Sequence, residues 1–158
     1  MDSKNFDWRK IRPAQKLHRF LYGIGLGPVV GKIILLLTTT GRKSGLKRVT
    51  PLQYELIDGK YCLGAARGTK ADWVCNIQAH PQVEVRVKNK RFTGSAEVVT
   101  DVSQITDFLE VRLTRHPLMI GLMMQKIHHL PKRPSRSQLE ELASSEALVI
   151  IHEEEVHE

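Results

Sequence analysis

The chain has 158 residues, with 24 Lys or Arg against 17 Asp or Glu, a formal charge of +7 and a pI near 9.6. That length suits one domain with a sizeable core, and the surplus of cations favours an anionic partner: a phosphorylated cofactor, a nucleic acid or an anionic membrane surface. Aromatics are only 6% of the chain and do not interleave with the Lys/Arg clusters, which argues against a nucleic-acid stacking platform.

Residues 1–30 read as an N-terminal arm and helix. Leu17, Phe20, Leu21 and Ile24 recur at helical spacing after Pro13, and the basic side of that helix, Lys16, His18 and Arg19, suits either capping the domain or weak association with a membrane surface. Residues 31–100 read as a barrel core. A buried strand over 33–40 runs into Gly41-Arg42-Lys43-Ser44-Gly45-Leu46-Lys47-Arg48, and strands are expected at 47–57 and 60–65 around an Asp58-Gly59 turn. A second Gly-centred cationic loop, Ala66-Arg67-Gly68-Thr69-Lys70, leads to a short helix from Ala71 to Ala79 that ends at His80-Pro81. Strands at 82–88 and 91–100 follow, joined at Asn89-Lys90, with Val83, Val85 and Val87 alternating against Glu84 and Arg86.

Residues 101–145 read as helical. Asp101 or Ser103 can cap a helix that breaks at His116-Pro117; the next helix, over 118–130, carries Met119, Met123 and Met124, read as core or as an adaptable wall over a substrate. Ser137-Gln138-Leu139-Glu140 has the capping-box pattern for a last helix. A closing strand at 146–151 and an acidic tail at 152–158 complete a mainly β chain with peripheral helices, about six antiparallel strands for which a closed barrel removes the edges.

Cys62 and Cys75, the two cysteines, lack metal-ligand spacing and read as buried free thiols of a reducing cytoplasm. Ile33 to Leu37 is too short to span a bilayer, and no cleavable signal pattern precedes it, so the expected location is cytoplasmic. The adjacent His128 and His129 point to different faces of a helix, so no metal site is expected. A nucleophile elbow is not evident either.

The chemistry that remains lies in the two Gly-centred cationic loops. Glycine lets the backbone turn N–H groups toward an anion, Lys43 and Ser44 add donors, and Arg48 can return on the next strand; a solvated basic hairpin turn is the plain alternative. If the strands at 33–40 and 60–65 end at one rim, both loops face one anionic ligand, with the helix after Lys70 adding its N-terminal partial charge. Trp73 then either covers a planar ring or plugs the barrel end.

Thr38-Thr39-Thr40-Gly41-Arg42-Lys43-Ser44-Gly45, Arg48, Pro51-Leu52, Asp72-Trp73 with Asn76, and His80-Pro81 before the Val-alternating strand together resemble the deazaflavin-dependent nitroreductase and quinone reductase family. The resemblance implies a split β-barrel like that of FMN-binding proteins and hydride transfer with coenzyme F420, whose tail carries a phosphate and a polyglutamate; FMN on the same barrel is the alternative. It also implies cofactor contacts for Arg42, Lys43, Ser44 and Arg48, and for Ala66, Arg67, Gly68, Lys70, Trp73 and Asn76. The partner is then a small-molecule electron acceptor. Two departures stand out: Arg67-Gly68-Thr69 replaces a Lys-Gly-Gly loop, and no tyrosine follows Tyr61. His116 and the methionines after it are the local substrate-side candidates.

Overall fold

In a computed structural model the described residues run from 34 to 154. The expected N-terminal helix, its membrane-facing side and the end of the acidic tail lie outside them. Strands β1 (Ile34–Thr40), β2 (Lys47–Gln53), β3 (Glu55–Ile57) and β4 (Lys60–Ala65) come first, then a 3₁₀ turn at Gly68–Lys70 and helix α1 (Asp72–Ala79). Strands β5 (Gln82–Val87) and β6 (Lys90–Val99), helices α2 (Val102–Arg115), α3 (Pro117–Lys126) and α4 (Arg136–Ala143), and strand β7 (Ala147–Glu153) follow.

All seven strands form one antiparallel sheet in the order β2-β1-β5-β6-β7-β4-β3. The two edge strands, β2 and β3, are neighbours in the chain with Tyr54 alone between them, so the sheet curls to bring the end of β2 to the start of β3, with no ladder between them. The single strand expected over 47–57 is therefore two. Among the described residues its first part pairs only with β1 and its second only with β4, because the chain turns the corner of the barrel at Tyr54. Pro51, which has no N–H to give, sits on an edge strand, where a ladder tolerates it.

Alternation along each strand builds two cores. Leu35, Leu37, Leu63, Ala65, Val83, Val85, Val87, Val149 and Ile151 point into the barrel, where α1 contributes Ala71, Val74 and Ile77 as a plug. Leu35, Leu37 and Val149 are 0% exposed, and each such side chain contributes about 1.5–3 kcal/mol through burial. On the outer face Cys62 and Leu148 meet Ile105, Phe108 and Leu109 of α2, Met119, Ile120 and Met124 of α3, and Leu139 of α4. Met119 and Met124 thus fill the layer between sheet and helices.

Helix boundaries follow from their caps. Asp101 accepts the Gln104 N–H and starts α2. Pro117 stands in the first turn of α3, which ends at Lys126 rather than near 130. The capping box of α4 is Ser135 with Gln138, two residues ahead of the expected Ser137 pattern. That earlier start puts Arg136 in the first turn, where it reaches Asp107 and Glu110 of α2 as well as Glu140. Cys62 is buried as expected, whereas Cys75 is only half-buried and donates to the Thr69 carbonyl.

Candidate anion-binding rim

Five of the strands, β1, β5, β6, β7 and β4, alternate in direction across the sheet, so β1 and β4 run the same way and their C-terminal ends reach one rim. Both cationic loops leave from that rim.

The first loop is tight. Gly41 N–H donates to the Leu46 carbonyl at 2.8 Å, Gly45 N–H donates to the Gly41 carbonyl at 2.8 Å, and the Ser44 hydroxyl accepts from Leu46 N–H at 3.2 Å. A Cβ on Gly41 would stand 2.7 Å from the Ser44 Oγ and 3.2 Å from the Leu46 carbonyl oxygen, so a larger residue there would push the Ser44 hydroxyl away from Leu46 N–H. The loop closed this way leaves Lys43, Lys47 and Arg48 exposed, with no hydrogen-bond or ion-pair partner among the described residues. Arg48 stands across the ladder from Thr39 and so shares the barrel-facing side with it.

The second loop is fastened by backbone packing. Gly68 has φ +60°, and a Cβ there would lie 2.8 Å from the Ser145 carbonyl oxygen, so the turn nests against the segment that enters β7. Ala66, Arg67 and Lys70 are exposed beside it. Helix α1 begins immediately after, with Ala71 in the capping position and no side chain capping its first N–H groups. Trp73 is half-buried against the barrel interior.

Arg42 behaves differently from the other cations. Its backbone N–H donates to Asn76 Oδ1 at 3.2 Å and its guanidinium donates to the same oxygen at 2.9 Å. That same guanidinium nitrogen also reaches the Asp72 main-chain carbonyl at 3.4 Å, and the second arm donates to Asp72 Oδ1 at 3.2 Å. Asn76 is buried and its Nδ2 donates to the Thr39 hydroxyl at 3.4 Å. The rim therefore gathers all ten residues expected at the cofactor, but it divides them. Lys43, Arg48, Arg67 and Lys70 face solvent, while Arg42 and Asn76 are engaged with each other.

His116 lies elsewhere. Its Nε2 is 2.9 Å from Glu55 Oε1, and Glu55 pairs across the ladder with Cys62 on the outer face, three residues or about 10 Å before the end of β4. Around Glu55 stand Arg115, at 3.2 Å, and Arg112, at 4.0 Å; Arg115 also donates to the Leu56 carbonyl and Arg112 to Gln53 Oε1. These groups bridge the end of β2 to β3, across the corner at Tyr54. Burial lowers the Arg112 pKa, Glu55 opposing, and raises Glu146 to about 7, with Arg112 pulling it back. His128 is lowered by burial, then by Arg112 and His129. Reading the sequence missed this cluster, although a lone glutamate in an apolar strand and Arg112, Arg115 and His116 on one helix end were its signals.

At the opposite mouth, where β5 ends and β4 begins, an open depression of about 440 Å³ is lined by Tyr54, Leu56, Tyr61, Val87, Lys88, Asn89 and Lys90. Lys90 there pairs with Glu153 at 2.9 Å and stands over the Phe92 ring. Among the described residues no cluster of His, Cys, Asp or Glu could hold a metal ion, and no helix is long and apolar enough to cross a membrane.

A curled antiparallel sheet with a cationic rim defines a split-barrel protein, and solved structures agree on that fold. The conserved hypothetical protein Rv2991 of Mycobacterium tuberculosis superposes with a TM-score of 0.54 at 16% identity, over 89% of this chain and 80% of that one. An F420-H2 dependent reductase (FDR-A) gives 0.50 at 23%, over 77% and 95%. HutZ, the heme storage protein of Vibrio cholerae, gives 0.53 at 14%, over 92% and 91%, so the fold by itself does not choose a ligand. The family model for F420H(2)-dependent quinone reductases matches residues 10–115, and the chain belongs to that family. The F420H(2)-dependent quinone reductase Rv1261c of Mycobacterium tuberculosis is 38% identical over 68 residues, 41% of this chain. That match spans 46% of the relative's length.

Proposed function

We propose that this chain is an F420-dependent oxidoreductase that passes a hydride from the reduced deazaflavin to an electron-poor small molecule, a quinone, an enone or a nitro compound. The observation that carries the reading is the rim itself: Lys43, Lys47, Arg48, Arg67 and Lys70, five cations without a partner among the described residues, on two loops that meet at α1. One phosphate does not need so many. A tail of phosphate and several carboxylates fits them, and charge-assisted contacts are the strong ones.

In this reading Lys43, Ser44 and Arg48 hold the phosphate side of the tail, Arg67 and Lys70 its further carboxylates, and Trp73 with Ala66 and Gly68 borders the ring. The cofactor, when bound, supplies the hydride chemistry; the chain supplies binding, orientation and electrostatics. The free thiols of Cys62 and Cys75 suit a reducing cytoplasm. Family membership supports the cofactor, and the acceptor class rests on the family's quinone-reductase description.

Fluorescence titration with F420 and with FMN tests the proposal directly. Tighter F420 binding, with a steeper loss of affinity as salt rises, is expected. Tighter FMN binding at every salt concentration, or copurification with FMN from a host that makes both, would make the chain an FMN oxidoreductase on the same barrel.

A further inference from the structure

Resting on the functional reading above, we propose that Arg42 is a positioning residue of the cofactor rim: it locks the first cationic loop to α1 so that the free cations beside it meet the ligand at a fixed spacing. The resemblance implied a direct cofactor contact for Arg42 and for Asn76. The geometry assigns them another task. Asn76 Oδ1 receives two donors from the same residue, the Arg42 amide and guanidinium, while Asn76 Nδ2 donates to Thr39 at the end of β1. Asn76 and Thr39 are 5% and 1% exposed, so the link is buried from strand end to helix and partly buried where it reaches Arg42 in the loop.

Such a link holds because each buried polar group has its partner; removing one leaves the other unsatisfied in a place water does not reach. The exposed half contributes less. Asp72 has a side chain 84% exposed, and an ion pair so wet adds little by itself, but it fixes the second arm of the guanidinium fork. A planar fork serves Asn76 Oδ1, the Asp72 carbonyl and the Asp72 carboxylate at once; a lysine ammonium at the end of a flexible stem does not reproduce that set. Charge at position 42 is therefore secondary to shape, whereas charge at Arg48 is primary.

The test uses Arg42→Lys and Arg42→Gln with Arg48→Gln as the contrasting variant, in F420 titrations over a range of salt and in hydrogen exchange of the residue-42 and Cys75 amides, which bond to Asn76 Oδ1 and to the Ala71 carbonyl. Both Arg42 variants should weaken F420 binding about tenfold or more, with the salt slope kept as in the parent protein, and should speed exchange of the residue-42 and Cys75 amides. Arg48→Gln should flatten the salt slope and leave that exchange alone. Arg42→Lys binding like the parent, or Arg42→Gln flattening the slope as Arg48→Gln does, would overturn the assignment. If the parent protein binds neither F420 nor FMN, the functional reading fails; the exchange measurement still decides whether Arg42 locks the loop to α1.

Discussion

The rim and the corner at Tyr54 are made from the same kinds of residues and behave as opposites. At the rim, Lys43, Arg48, Arg67 and Lys70 stand in water with no partner among the described residues. At the corner, Arg112 and Glu55, with side chains 14% and 6% exposed, lie between helix and sheet, each dependent on the other. Residue type does not separate a binding cation from a structural one; solvent does. A charge in water is available and individually worth little, whereas a charge out of water is unavailable and dangerous to leave alone.

The largest expected effect comes from breaking the buried side. Glu55→Gln strands Arg112 and Arg115 without their carboxylate and should lower folding stability by about 3–5 kcal/mol, read as a fall in denaturation midpoint. If the midpoint barely moves, the corner is held by packing and its ions are incidental. Glu146 sharpens the same point through pH. Its folded pKa lies near 7, above the carboxyl value of 4.5, so its protonated form is the comfortable one in the folded state. Stability from this group is therefore complete below about pH 4.5 and is lost as pH rises to about 7, by no more than about 3 kcal/mol. His128, lowered, works in the other sense as pH falls below 6.5, so the difference between the parent and Glu146→Gln isolates the glutamate. That difference should grow from pH 5 to pH 8, the variant being the more stable; a flat difference would refute it.

On the wet side the effects move from stability to binding. Lys43→Glu and Arg48→Glu should each weaken F420 binding by somewhat more than one lost charge-assisted contact, about 1.5–3 kcal/mol, while leaving the denaturation midpoint nearly unchanged. Equal affinity in all three proteins would reduce the first loop to a hairpin turn. The smallest change belongs to Lys70→Gln, about 0–1 kcal/mol at physiological salt and less at high salt, where exposed charges are screened over a few ångströms. Isothermal titration at two ionic strengths checks it.

The barrel was legible where the period of 2 is strong: Val83, Val85 and Val87 against Glu84 and Arg86 placed β5 correctly, and Asp58-Gly59, with φ of +51° and +76°, placed the β3–β4 turn. The two loops were legible as anion cradles from glycine and charge. Their meeting at one rim was a conditional statement until the strand order supplied it, because that order depends on pairings between residues far apart in the chain. The break at Tyr54 was not read, since Leu52 to Ile57 shows no glycine and no change of period there, although Pro51 marked an edge strand. Asp72 and Thr39 stood in the motifs of the resemblance without a role of their own, because each acts only through Arg42 and Asn76, a relation of three dimensions.

The corner at Tyr54 also has a consequence for self-association. Among the described residues β2 and β3 each have one laddered neighbour, so there the sheet carries two margins without a ladder partner. Open strand margins invite strands from other molecules. Here Arg115 occupies the Leu56 carbonyl and Arg112 the side chain of Gln53, so the last turn of α2 lies over both margins. The arginines at the end of that helix cover the strand margins as well as pairing Glu55, so their loss is expected to uncover those margins and to lower stability together.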